Sequence, residues 1–172
     1  QIGSLHPKQT VSGEIGDKDS LKGVTFATDG EDDVLDILKE LVSDLGGFPV
    51  KIAPELRPLY HLSAFLACGG LVTLVSKASS LWESMGYNDS TGLKSLLPLI
   101  KKTIENIESK GTYESMTGPV NRGDISTISE HISAIRKQSP DTMDIYKSIS
   151  KYATKLSSQN GGIDYNTSQQ RM

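Results

Sequence analysis

The chain has 172 residues, of which 36% are hydrophobic and 23% are charged, and its formal net charge is −3. This composition excludes a disordered chain, and the mild acidity argues against a general nucleic-acid-binding protein, which would carry a basic patch. The one cysteine, Cys68, excludes an intrachain disulfide, and with no recognisable signal peptide it indicates a reducing, cytoplasmic location. Because the neighbours of Cys68 are apolar, we expect a buried and inert thiol.

The first third of the chain has the pattern of an α/β domain. Apolar runs predict a strand that ends at His6-Pro7 and two more over residues 23–28 and 48–52. Between the last two, apolar residues spaced by three and four predict a helix over residues 31–45, which a Gly-Gly pair terminates. Neither G-x-G-x-x-G nor a Walker sequence is present. Three strands with one covering helix would leave apolar sheet surface bare, so this segment looks like the end of a larger α/β domain.

The rest of the chain has a helical pattern. We expect helices over residues 58–85 and 93–110, a third with Asp124 as its N-cap, and a fourth that begins at Ser139-Pro140. Pro98 is expected to kink or locally unwind the second of these helices.

Residues 58–76 contain no Asp, Glu, Lys or Arg, and this length raises the question of a membrane span. Polar side chains inside the segment and the lack of an aromatic belt at its flanks argue against a span. We therefore expect no membrane association. We expect a helix that is buried on most sides, either inside the domain or across a homodimer interface.

The stretch TGPVNRGDISTISEH, residues 117–131, is the richest in candidate functional residues. A helix N-terminus attracts anions, and the residues just before this one supply flexible turns and a cation: Gly118, Pro119, Arg122 and Gly123. Asp124, Thr127 and His131 share one helix face because they are spaced i, i+3 and i+7. Such a row would line a cleft, but a helix cap followed by a solvated face gives the same pattern.

A second constellation, PLYHLSAFLACGG, begins the charge-poor helix. Histidine titrates near neutrality and can act as a general acid or base, which makes His61 a candidate proton relay with the Tyr60 hydroxyl beside it. The small residues that follow would admit a ligand or another helix. The alternative is a hydrogen-bonded core histidine with small residues that serve helix packing.

The first predicted strand supplies a third candidate. In open α/β sheets ligands bind beyond the carboxyl ends of the strands, where His6 and Pro7 stand. No histidine has H-x-x-x-H or H-E-x-x-H spacing, so we predict no metal site.

Three stretches in this order, GSLHP, LYHLSAFLACGGL and MTGPVNRGDISTISEH, resemble a group of two-domain proteins with an N-terminal Rossmann-like domain and a helical C-terminal domain of unknown function. That group is similar in architecture to 6-phosphogluconate dehydrogenase, pyrroline-5-carboxylate reductase and prephenate dehydrogenase. The resemblance runs from about Ile2 to Leu156 and is most specific at T-G-P-x-x-R-G-D with its downstream histidine. The family usually has Ser-Asn where this chain has Cys68-Gly69, so an amide that could orient a ligand is missing here.

The resemblance implies an α/β remnant followed by an all-α domain. Residues 1–52 would be the C-terminal part of a Rossmann-like NAD(P)-binding domain, whose glycine-rich first half is absent from this sequence. Residues 53–158 would form a helical substrate and dimerisation domain similar to the C-terminal domain of 6-phosphogluconate dehydrogenase. Residues 159–172 would be a flexible tail.

The resemblance also implies an NAD(P)-dependent oxidoreductase, with NADP favoured, that transfers a hydride to or from a small anionic substrate in an interdomain cleft. His61 and His131 would be catalytic. His6 and Pro7 would contact the cofactor. The implied substrate-binding residues are Tyr60, Thr117, Gly118, Arg122 and Asp124.

The alternative function is a non-catalytic helical module for homodimerisation. Convergence of the two catalytic candidates on one solvent-reached cleft would favour the enzyme, and separate burial would favour the module.

Overall fold

The computed structural model describes residues 2–10 and 20–159. The chain divides into two compact units, one that reaches to Thr73 and one that begins at Leu74. The first packing unit therefore extends past residue 52. The predicted boundary at residue 52, between a Rossmann-like domain and a helical domain, stays a prediction. Of the predicted tail, residues 160–172 lie outside the described residues.

The first unit is built on a three-stranded sheet in the order β1-β2-β3. The strands are β1 (Gly3–Pro7), β2 (Thr25–Gly30) and β3 (Phe48–Lys51), and helix α1 (Asp32–Asp44) connects the last two. β2 and β3 are parallel, as a crossover connection allows, whereas β1 runs antiparallel to β2. The three predicted strands and the predicted helix are confirmed, with ends shifted by one or two residues.

Helix α1 covers one face of this sheet. The buried core consists of Val24, Phe26 and Val42, with Leu5, Leu21 and Leu45 packed around it. A Cβ on Gly47 would lie 2.5 Å from the Phe26 ring, so the segment that enters β3 contacts this core directly. Pro7 pairs with Phe26 and His6 with Ala27. Because side chains alternate along a strand, His6 lies on the face opposite this core.

A long apolar helical segment follows the sheet. It begins with a 3-10 turn (Pro54–Leu56) and continues as α2 (Arg57–Phe65), a π-helical turn (Leu66–Gly70) and α3 (Leu71–Ser84). By length and composition alone, this segment could cross a membrane.

The most apolar part of this segment is not buried within the chain. Leu59, Phe65, Leu66 and Val72 are each 59–64% exposed. The expectation of a helix buried inside its own domain is therefore wrong. Burial across a homodimer interface stays a prediction.

Cys68 lies in the π-helical turn and is exposed. Its apolar neighbours Phe65 and Leu66 are exposed as well, so they do not shield the sulfur from solvent. The prediction of a buried thiol is wrong, because apolar neighbours in sequence do not guarantee a covering surface.

Every described residue of the second unit that lies in a regular element is helical. After α3 come α4 (Asp89–Glu114), α5 (Pro119–Arg122), α6 (Ile125–Gln138), a 3-10 turn (Pro140–Thr142) and α7 (Met143–Gln159). The helices predicted near these positions are confirmed, but α4 begins several residues earlier than predicted and continues past the predicted end through one non-helical residue, Gly111.

Pro98 does not unwind α4. The backbone leaves the helical region at Gly111 instead, where φ is 77° and ψ is 175°. Proline leaves the carbonyl of residue i−4 without a donor. Lys94 is that residue, and because it lies on an exposed part of α4, its carbonyl can bond to water.

Small hydroxyl residues form much of the buried surface of the second unit. On α7 the buried positions are Ser150, Ala153, Thr154 and Ser157. Thr154 Oγ1 donates to the Ser150 carbonyl at 2.9 Å, and Ser157 Oγ donates to the Ala153 carbonyl at 3.0 Å. These bonds satisfy the hydroxyls inside the helix, which lets them be buried without a partner from another element.

Candidate functional site

A cavity of about 370 Å³ lies in the first unit, between α2 and the sheet face opposite α1. It brings together three residues singled out from the sequence, His6, Tyr60 and His61. The rings of the two histidines meet edge to face, with their centroids 6.1 Å apart. The cavity volume is in the range of small-molecule sites in proteins.

Sequence reasoning missed the charged wall of this cavity, which Arg57 and Asp29 form. Arg57 Nη2 donates to Asp29 Oδ2 at 2.5 Å and to Ser4 Oγ at 3.3 Å. Arg57 precedes Tyr60 and His61 by three and four residues, a spacing that places all three on one side of a helix and would have identified it. Asp29 stands at the carboxyl end of β2, the edge where α/β proteins bind ligands.

The Tyr60 hydroxyl is the least satisfied polar group of the cavity. It is buried and has no hydrogen-bond partner among the described residues. Burial raises the pKa of the Tyr60 hydroxyl, and the nearby backbone of Ala27 offsets part of this increase. A ligand that offered an acceptor would remove the cost of this unpaired hydroxyl.

Lys8 adds a positive charge next to the cavity. Its ammonium lies 4.5 Å from the centroid of the Tyr60 ring, a cation–π contact, and it donates to Ser63 Oγ at 2.7 Å. Lys8 follows His6 by two residues, just past the end of β1, so the two side chains lie on the same side of the strand. The cavity is therefore bordered by two cations and one carboxylate.

The structure changes the reason for which His6 was singled out. β1 runs antiparallel, so its carboxyl end lies beside the start of β2, where Pro7 pairs with Phe26. His6 thus reaches the cavity across the sheet face and not at the carboxyl edge of parallel strands. Pro7 lies on the other side of the strand and is not among the residues that line the cavity.

The motif TGPVNRGD belongs to the second unit and is more than a loop. Its centre forms the one-turn helix α5 between two glycines in conformations that favour glycine, Gly118 with φ 92° and Gly123 with φ 65°. Thr117 precedes this turn and is exposed. Both glycines thus adopt a positive φ, which agrees with the turns expected on either side of Pro119–Arg122.

Asp124 already occupies the helix N-terminus that we expected to attract an anion. Its carboxylate accepts from the Thr127 amide at 3.1 Å and from the Thr127 hydroxyl at 2.8 Å. Arg122 Nη2 lies 3.9 Å from the same carboxylate, and the arginine side chain is 64% exposed. The cation that this motif offers to a ligand is therefore Arg122, and the helix N-terminus itself carries a negative charge.

The pKa of Asp124 gives a testable pH dependence. Hydrogen bonds from the Thr127 backbone and side chain, then the charge of Arg122, hold this pKa below the ordinary value of 3.8. A carboxyl with a lowered folded pKa contributes stability that is present above its unfolded pKa and is lost as the pH falls through the folded pKa. We expect Asp124→Ala to melt at a lower temperature than the parent at pH 7, and this difference to shrink below about pH 4.

Asp124→Asn is the matched control, because asparagine can cap a helix without a charge. Its melting temperature should exceed that of Asp124→Ala at pH 7 and should approach or pass that of the parent in acid. Melting curves followed by circular dichroism at several pH values make the comparison. A deficit of Asp124→Ala that is equal at pH 7 and in acid would contradict the assignment.

His131 lies on α6 and interacts with α7. Its Nδ1 is 3.1 Å from the Tyr146 hydroxyl, and the two rings meet edge to face with centroids 5.7 Å apart. Burial raises the pKa of Tyr146, and a hydrogen bond with the Ser150 side chain lowers it in part. His131 does not line the cavity of the first unit, and its convergence with His61 on one cleft stays a prediction.

Within the described ranges, no group of three or more His, Cys, Asp or Glu residues is arranged to hold a metal ion.

Comparison with known proteins adds a family and a fold. Residues 24–153 match the model of a domain of unknown function, DUF2520. No curated protein matches the sequence.

Two solved structures resemble the chain. Protein TM1727 from Thermotoga maritima has 23% identity and a TM-score of 0.79, with 92% of this chain and 62% of that protein covered. The "putative NADP oxidoreductase BF3122" from Bacteroides fragilis has 21% identity and a TM-score of 0.71, with 89% and 57% covered. The chain thus spans about three fifths of the length of each. At these identities the likeness shows a shared fold, an α/β segment followed by helices, in agreement with the arrangement predicted from the sequence.

Proposed function

Because the chain belongs to the DUF2520 family of unknown function, we propose a function from its site: part of an NADP-dependent oxidoreductase that acts on a small anionic carbonyl or hydroxyl compound. The observation that carries this proposal is the cavity of the first unit, where His6, Tyr60 and His61 meet Arg57. The name of the Bacteroides fragilis protein supports the cofactor class.

Each residue of the cavity has a role that its chemistry supports. His61 gives a proton to the substrate oxygen or takes one from it, since histidine changes its charge near neutrality. Tyr60 donates a hydrogen bond to the same oxygen, since its buried hydroxyl has no other partner among the described residues. Arg57 holds the negative charge of the substrate through its planar guanidinium, beside or in place of Asp29.

The motif of the second unit keeps a part in this proposal through the family resemblance alone. After Arg57, Arg122 is the second anion-binding group that we propose. Its neighbours Thr117, Gly118 and Asp124 shape the turn around it.

In this proposal the cavity holds one end of a dinucleotide. When bound, the dinucleotide supplies a hydride to the substrate carbon or accepts one from it. The polar wall next to His6 suits the nicotinamide end, while the sequence has no G-x-G-x-x-G loop for the pyrophosphate. The residues of this chain would therefore contact the reacting end of the cofactor.

Titration of NADPH and NADH, followed by nucleotide fluorescence, tests the cofactor class. Both nucleotides are added to residues 1–172 and to the product of the whole reading frame. We expect the latter to bind NADPH with a Kd on the order of 1 μM, and His6→Ala to weaken this binding about tenfold. His131→Ala, which alters a histidine outside the cavity, is the control and should leave the Kd unchanged. Absence of binding by the product of the whole reading frame would overturn the oxidoreductase proposal.

A homodimerisation module is the second candidate, and the exposed apolar face of Pro54–Ser84 favours it. Monomeric proteins rarely expose large contiguous apolar patches, and such patches often mark interfaces between proteins. A second copy of the chain would cover this face with the same face, as two-fold symmetric dimers do. This function does not exclude the enzyme, since a dimer can carry an active site.

We expect Phe65→Glu to convert the protein from dimer to monomer, because a carboxylate buried without a partner in an apolar interface is strongly unfavourable. Sedimentation velocity over a range of concentrations measures the change. Phe48→Glu is the matched control, because Phe48 on β3 is 61% exposed and Phe65 is 59% exposed. A parent that stays monomeric, or equal effects of both substitutions, would contradict an interface on this helix.

A further inference from the structure

The second unit contains a cavity of its own. Its volume is about 410 Å³, and residues of α3, α6, the 3-10 turn and α7 line it. The apolar part of the wall is formed by Leu81, Met85, Ala134 and Ile135. Its size and largely apolar wall with a few polar groups are typical of small-molecule sites.

The charge of the wall restricts the ligand. No Asp, Glu, Lys or Arg is among the described residues that line this cavity. Lys77 and Asp141, which both contact the lining residue Ser139, pair with each other at 2.5 Å, and Ser139 Oγ donates to the same carboxylate at 2.9 Å. A permanently charged ligand would lose its hydration without gaining a counter-ion, which is strongly unfavourable. The cavity therefore suits a neutral molecule.

His131 and Tyr146 provide the polar group that would orient such a molecule. A tyrosine hydroxyl is protonated at neutral pH, so that of Tyr146 can donate to His131 Nδ1 across their 3.1 Å separation. In that arrangement the ring proton of the neutral imidazole is on Nε2. The ring then offers one N–H donor to an acceptor oxygen of the ligand.

We propose that this cavity is a binding site for a small neutral molecule with an aromatic or branched apolar body and one acceptor oxygen, and that His131 recognises the oxygen. Leu81, Met85 and Ile135 contact the apolar body. The proposal is independent of the proposed oxidoreductase function, because that function gives no role to any residue that lines this cavity.

Acetophenone is the probe. Ethylbenzene is the matched compound without the acceptor oxygen, and benzoate is the matched compound with a negative charge. Titrations are followed in the full chain by the chemical shifts of the Ala134 and Ile135 methyl groups. We expect acetophenone to bind with a Kd on the order of 1 mM, as its small size allows. Ethylbenzene should bind about fivefold more weakly, since it lacks the hydrogen bond, and benzoate should not shift these signals.

Ala134→Leu should abolish the acetophenone shifts, because the larger side chain fills the cavity. Ser133→Leu is the control, since Ser133 is also exposed but does not line this cavity, and it should leave the shifts unchanged. Tyr146→Phe should remove the preference for acetophenone over ethylbenzene, because the hydroxyl no longer sets the His131 proton. Intermolecular Overhauser effects between the acetophenone ring and the Met85 methyl check the location without any substitution. Missing shifts up to about 10 mM acetophenone, or equal binding of benzoate, would overturn the proposal.

Discussion

Phe26→Ala should lower the free energy of unfolding by about 3–5 kcal/mol, the range observed when a buried aromatic side chain is truncated. Phe26 is only 2% exposed and lies at the centre of the first-unit core with Val24 and Val42. Gly47 closes on its ring, so little of the resulting cavity can be filled by movement of a flexible side chain. Urea denaturation followed by circular dichroism measures the change.

Phe48→Ala is the control for this substitution. Phe48 belongs to β3 of the same sheet but is mostly exposed, so we expect its truncation to cost less than about 1 kcal/mol. Total stabilities are commonly about 5–15 kcal/mol, so the loss at Phe26 would leave the unit marginal. Equal losses at the two positions would show that the core is not centred on Phe26.

His61→Gln should reduce NADPH-dependent turnover by about 10²- to 10⁴-fold, the usual contribution of a general acid or base. Glutamine keeps a polar side chain of similar length and cannot carry the proton. The reaction is measured with a panel of 2-oxo acids as substrates, and the variant should also lose the pH dependence near neutrality that a histidine confers. The binding of NADPH should change little, which separates proton transfer from cofactor affinity.

His131→Gln makes the same chemical change in the second unit. Nδ1 of His131 is engaged by Tyr146, whereas His61 shares its cavity with Tyr60 and Arg57. We therefore expect the larger loss at His61. If His131→Gln abolishes turnover and His61→Gln does not, the proton relay belongs to the second unit and the first-unit cavity has another role.

Most of the secondary structure could be predicted because it is encoded locally. The apolar spacing of α1 and the cap at Asp124 each depend on a few consecutive residues. The direction of β1 could not be predicted, because alternation along a strand is the same whether its neighbour is parallel or antiparallel. That direction decides whether His6 reaches a sheet edge or a sheet face.

Burial was predicted less well than periodicity. The helix α4 was predicted, yet its apolar residues Leu93, Leu97 and Ile104 are exposed. An amphipathic pattern shows which side of a helix is apolar and not which surface covers it. The same limit explains the wrong prediction for Cys68.

The candidate site followed from residue chemistry only in part. His6, Tyr60 and His61 were found because histidine and tyrosine suggest proton transfer, and the fold brings them to one cavity. Arg57 and Asp29 were missed because isolated charged residues are common on surfaces. Their pairing depends on the approach of α2 to β2, which no local pattern records.

Because the apolar side of Pro54–Ser84 is uncovered, the free energy of unfolding can depend on what else is in the solution. Any species that covers this side in the folded state alone shifts the folding equilibrium by mass action. If that species is another copy of the protein, the melting temperature rises with protein concentration and falls on dilution. A single melting temperature would then be incomplete without the concentration at which it was recorded.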